Sequence, residues 1–195
     1  MRAATKTAVS YALTIAVVSM LSSCSADPVQ ADGIKALGNE KGTANEFHRA
    51  GQPCGICHQS GGSATSDFSV SGTVFASSDS LVGVEGARVD LVDANKTSPP
   101  ASMPLLTNCV GNFFVLRTDW NPAFPIAVRV TKGGVSRAMQ SPINRAGSCA
   151  ECHKAQVPLT DPFGTVRPVF VFGADGDPVG KAKTCDRDPD LGVAK

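Results

Sequence analysis

Seven cysteines and three histidines occur in this chain of 195 residues, and their spacing is its most specific feature. Four of the cysteines and two of the histidines fall into two matching runs, Cys54-Gly55-Ile56-Cys57-His58 and Cys149-Ala150-Glu151-Cys152-His153. Two thiols at this spacing can add to the two vinyl groups of one haem as thioethers. The histidine that follows at once is then held beneath the iron as an axial ligand. A zinc site made from such pairs would bring them ~15–20 residues apart, whereas Cys57 and Cys149 are separated by a far longer stretch. A thioredoxin-like dithiol needs a βαβ setting, and the sequence around each run is loop-like. Two covalently attached haem c groups are therefore expected, on Cys54 and Cys57 and on Cys149 and Cys152, with His58 and His153 as iron ligands.

The two runs sit in what reads as an internal repeat. The stretch from Phe47 to Cys54 aligns with that from Ile143 to Cys149 with one residue deleted, and the two share Arg49-Ala50-Gly51 and Arg145-Ala146-Gly147. Those arginines could pair with haem propionates or stay solvated. His48 is the remaining histidine, and its counterpart in the repeat is Asn144. A histidine just before such a motif resembles the distal ligands of multihaem cytochromes, which makes His48 a candidate sixth ligand to an iron left unassigned. Met139, ten residues before Cys149 in a polar context, is the second candidate distal ligand. Met103, in a Pro-rich stretch, reads as loop packing.

The N-terminus reads as an address. Arg2 and Lys6 precede a mostly apolar run from Ala8 to Leu21, too short for a stable span and placed as a secretory h-region. Leu21-Ser22-Ser23-Cys24 resembles a bacterial lipobox, which implies cleavage before Cys24 and lipidation of that residue. Ser25 follows rather than Asp, so an exported lipoprotein of the bacterial cell envelope, at the outer membrane, is expected. Export would place every later cysteine in an oxidising compartment.

Hydrophobic residues make up 42% of the chain and the formal charge is +1. These values allow one sizeable core and argue against wholesale disorder and a nucleic-acid groove. Phe68 to Val130 reads as short strands: Phe68, Val70, Gly72 and Val74 alternate, as do Ala87, Val89 and Leu91, and the apolar runs Phe113 to Leu116 and Ile126 to Val130 follow. Turn residues separate them. This stretch resembles the carboxypeptidase regulatory-like, transthyretin-like sandwich at Gly72-Thr73-Val74, at Gly83 to Val89, at Asn108 with Gly111-Asn112-Phe113, and at Ile126 to Val130 before Gly133. It departs from the pattern at Cys109, which falls in the turn. The resemblance implies a mainly β, seven-strand Greek-key β-sandwich with no catalytic centre, acting as spacer or docking surface for loop-rich haem segments, with little helix.

The expected organisation is a signal peptide over 1–23, a flexible tether over 24–45 and a first haem-binding segment over 46–66. The β-sandwich follows over 67–134, a second haem-binding segment over 135–160, and a C-terminal strand and tail packed on the sandwich over 161–195. The tail carries a strand-like run from Gly164 to Phe172 and several aspartates, whose spacing matches no standard calcium loop. With Cys24 lipidated and four cysteines bound to haem, Cys109 and Cys185 remain, and a disulfide between them is expected. The functional expectation is one-electron transfer by an envelope-anchored dihaem c-type cytochrome, with no enzymatic activity. Its partners would be redox proteins and, through the lipid, a membrane; nucleic acid is not among them. The alternative is a peroxidase-like haem enzyme or haem-based sensor with one open iron.

Overall fold

In the computed structural model, residues 27–40, 43–77, 82–153, 169–171 and 185 are described. The chain divides into two units, Met1–Gly38 and Asn39–Lys195. The described part of the first unit contains helix α1, Pro28–Ala36, inside the segment expected to be a flexible tether. Asp27 caps it by accepting the Val29 N–H at 2.9 Å, and Pro28 opens it with a preset φ. No residue of α1 is buried.

In the second unit the alternating runs become strands. They are β1, Phe68–Thr73; β2, Arg88–Val92; β3, Asn112–Leu116; β4, Ala127–Lys132; and β5, Val135–Ala138. β1 pairs antiparallel with β3, and β2, β4 and β5 form a second antiparallel sheet in the order β2-β4-β5. The fold is mainly β with little helix. Val89 and Leu91 of β2, Val130 of β4, Val70 of β1 and Phe113 and Val115 of β3 belong to one buried core, so the inward faces of both sheets meet. The described residues form five strands plus isolated bridges rather than seven full strands.

β5 carries its sheet past residue 134, where a haem-binding segment was expected to begin. Gly133 and Gly134, at φ 56° and 80°, supply the two left-handed positions that a two-residue hairpin needs. From the tail, Phe170 bridges Phe75 in parallel and Val171 is fully buried in the core.

β1 is the strand that positions the two cysteine motifs. Every residue from Ser69 to Thr73 is buried, so both of its faces are covered. Ser71 and Thr73 share one face by the period of two, while Ser69 sits where the register with β3 shifts between Phe68 and Val70. Their hydroxyls find partners: Ser69 Oγ donates to the Val115 carbonyl at 3.3 Å and Thr73 Oγ1 to Asn112 Oδ1 at 2.7 Å.

Candidate functional site

Both cysteine motifs fold into the same turn. Cys54–Ile56 and Cys149–Glu151 are single 3-10 turns preceded by extended Pro53 and Ser148. In the first, Ile56 N–H reaches the Pro53 carbonyl at 3.1 Å, Cys57 N–H that of Cys54 at 3.1 Å, and His58 N–H that of Cys54 at 2.8 Å. The second repeats these bonds with Glu151 to Ser148 at 3.1 Å, Cys152 to Cys149 at 3.2 Å and His153 to Cys149 at 2.8 Å. Each turn thereby groups two sulfurs and an imidazole within five residues.

Both turns dock on β1. Gly51 N–H donates to Thr73 Oγ1 at 2.8 Å, and the Gly147 carbonyl accepts the Ser71 N–H at 2.9 Å. The second approach tolerates no side chain, because a Cβ on Gly147 would fall 1.9 Å from the Ser69 carbonyl oxygen. The shared Arg-Ala-Gly entry thus has a structural use at its glycine. Its arginines diverge: Arg49 is turned to its own loop, donating to Gln52 Oε1 at 2.8 Å with Glu40 at 3.8 Å, while Arg145 lines a cavity beside the second motif.

The first motif opens on a cavity of about 260 Å³ lined by His48, His58, Cys54, Phe68 and Phe113 among others. The His58 ring stacks on Phe68, with centroids 4.0 Å apart and planes 4° apart, and Phe68 stacks in turn on Phe114 at 4.6 Å. His58 Nδ1 lies 3.0 Å from the Ser66 carbonyl. A carbonyl only accepts, so Nδ1 carries the proton and Nε2 keeps its lone pair. Burial lowers the His58 pKa against the opposing pull of Ser66, which favours this neutral form. The His48 ring lies 6.0 Å from that of His58, centroid to centroid. Its Nδ1 contacts the Asn45 carbonyl, and its Nε2 is 4.0 Å from Glu40.

The second motif opens on a larger cavity of about 450 Å³, lined by Cys149, Cys152, His153, Met139, Arg137 and Arg145 together with apolar residues of β3, β4 and the tail. Met139 is 38% exposed and sits just beyond β5, with its N–H on the Val128 carbonyl at 3.0 Å. Arg137 lies over the Phe170 ring at 4.7 Å and donates to the Val171 carbonyl at 2.6 Å.

Burial pushes the Cys54 thiol above its usual range despite a hydrogen bond with Ser71. Burial, reinforced by Cys54, pushes Cys149 up to about 12. The sulfurs of Cys54 and Cys149 thus sit in surroundings that suit an uncharged group such as a thioether. Among the described residues no group of three or more His, Cys, Asp or Glu side chains converges as a metal cage.

The haem, distal-ligand and disulfide candidates can each be located among the described residues. His48 shares a cavity with His58, and Met139 shares one with His153. Cys109 and Cys185 stand at disulfide distance with Cα atoms 5.3 Å apart, beside buried Phe47 and Val110. Cys24, the signal-like segment and the tail aspartates lie outside the described residues. Sequence reasoning missed Ser66, Phe68 and Phe113 as site residues, and no local signal marks them. No family model, curated protein or solved structure matches the chain.

Proposed function

We propose that this chain is an exported, lipid-anchored dihaem c-type electron carrier. The observation that carries the reading is that the two motifs adopt the same hydrogen-bonded turn, each facing its own cavity. The larger cavity falls within the ~300–1,000 Å³ usual for small-molecule sites and the smaller just below it. When bound, haem c supplies an Fe(III)/Fe(II) couple that accepts and releases single electrons.

The chain's own residues do the rest. Cys54, Cys57, Cys149 and Cys152 anchor as thioethers. His58 and His153 would ligate the irons, and the Ser66 carbonyl and the Phe68 ring fix the tautomer and orientation of His58. His48 lines the same cavity as His58 and would be the second ligand there; Met139 lines the cavity of His153 and would be the second ligand at the other site. Phe113, Val128, Val130 and Ile143 give the second cavity an apolar wall that limits water. Arg145, on the rim of that cavity, is placed for a propionate.

With His48 and Met139 as further donors, neither iron would be left open, which separates a carrier from a peroxidase-like enzyme or a gas sensor. A spectroelectrochemical titration tests this. Two reversible one-electron steps with a Soret band unmoved by cyanide support transfer; a site that takes cyanide at once in the oxidised protein overturns it in favour of catalysis or sensing.

A further inference from the structure

The two motif turns touch each other although they are far apart in sequence. Gly55 N–H donates to Ser148 Oγ at 3.3 Å, and a Cβ on Gly55 would lie 3.0 Å from Ser148 Cβ. Both turns also meet neighbouring residues of β1. Ser71 hydrogen bonds Cys54, and a Cβ on Gly72 would fall 2.9 Å from Cys149 Sγ. One residue of an extended strand advances ~3.3 Å and adjacent side chains point to opposite faces, so the sulfurs of Cys54 and Cys149 are held at adjacent positions on the two faces of β1. Phe113, opposite Gly72 in the β1–β3 register, is 3% exposed and lines both cavities.

We propose that β1 and Phe113 hold the two haem sites as one electronically coupled pair, with the Phe113 ring as their common wall. The proposal rests on the dihaem reading. A ring attached through Cys54 and one attached through Cys149 start from sulfurs fixed on neighbouring residues of the same strand. Gly72 and Gly55 are the positions where a missing Cβ permits the approach. An electron entering beside His48 and His58 can then leave beside Met139 and His153 without a second protein, so the chain is a relay with two faces.

Two strong transition dipoles in near contact mix and give a pair of Soret circular-dichroism bands of opposite sign, whereas distant ones simply add. The test uses the fully matured protein, with the haem number first established by mass. A bisignate Soret couplet is expected. It should be lost in the single-haem variants Cys54→Ala/Cys57→Ala and Cys149→Ala/Cys152→Ala, and weakened in Gly55→Ala with two haems retained. A two-haem protein without a couplet, its spectrum the sum of the two single-haem variants, overturns the coupled pair and leaves the dihaem reading intact. A couplet unchanged by Gly55→Ala likewise counts against the turn–turn contact as its origin. A haem-free chain removes the dihaem reading itself.

Discussion

Asn112→Ala tests how the sheet holds the loop that carries His48. The Asn112 side chain is 9% exposed; its Nδ2 donates to the His48 carbonyl at 3.0 Å and, more weakly, to the Glu46 carbonyl at 3.4 Å. Its Oδ1 accepts from Thr73 Oγ1 at 2.7 Å, and Thr73 in turn receives the Gly51 N–H. One amide thus ties β1 and β3 to both ends of the entry to the first motif. Truncation removes two good hydrogen bonds and leaves a buried hydroxyl and a backbone carbonyl short of a partner, at a cost of about 2 kcal/mol, within the usual ~1–3. For a domain of this size that corresponds to a fall in Tm of about 4–8 °C. Thermal unfolding of the haem-loaded protein followed by far-ultraviolet circular dichroism measures it. A redox titration of the same variant should show one step displaced, because His48 is freed, and the other unmoved. An unchanged Tm together with two unmoved steps would refute the reasoning.

Met139→His should lower the potential of one redox step and leave the other in place, since methionine ligation raises the potential relative to a second imidazole; two unmoved steps would exclude Met139 as a ligand. Removing the Cys109–Cys185 link, which closes a sequence separation of 76, should cost about 4 kcal/mol through the unfolded state. Thiol titration of denatured, unreduced protein should find neither cysteine reactive, and equilibrium denaturation of Cys109→Ser/Cys185→Ser measures the loss. The Asp93 carboxyl is held below its usual range: burial opposes its charge, but the Ala123 and Thr97 N–H groups at 3.0 and 2.8 Å outweigh it. Its contribution is therefore present above the unfolded pKa of ~3.9 and lost as pH falls through the folded value. Asp93→Asn should flatten the acid limb of the stability–pH curve, and an unchanged limb would speak against those bonds.

What was legible in the sequence was local. The Cys-x-x-Cys-His turns follow from contacts four residues long, the cores of β1 and β2 from alternation and those of β3 and β4 from short apolar runs, so all are readable from the residues themselves. The meeting of the two turns was not. It depends on where Gly51 and Gly147 strike β1, a matter of long-range register that glycine spacing does not encode. Phe68 and Phe113 looked like ordinary strand residues because ring stacking and a shared cavity wall are tertiary facts. β5 is obscure in the sequence because Val135–Ala138 is short and mostly exposed, and Gly133-Gly134 marks the end of a module as readily as a hairpin turn. The Asp27-Pro28 start of α1 carried a cap signature that the small, polar composition around it obscured. Cys109 and Cys185 were paired by elimination, and the 5.3 Å separation of their Cα atoms comes from the fold.

The central claim, two covalent haems on one chain, is tested most directly by intact-mass spectrometry of the denatured protein after maturation in a host that assembles c-type cytochromes. An addition of two haems that survives denaturation is expected, falling to one in Cys54→Ala/Cys57→Ala and in Cys149→Ala/Cys152→Ala. A haem-free chain carrying zinc on the same cysteines would contradict it.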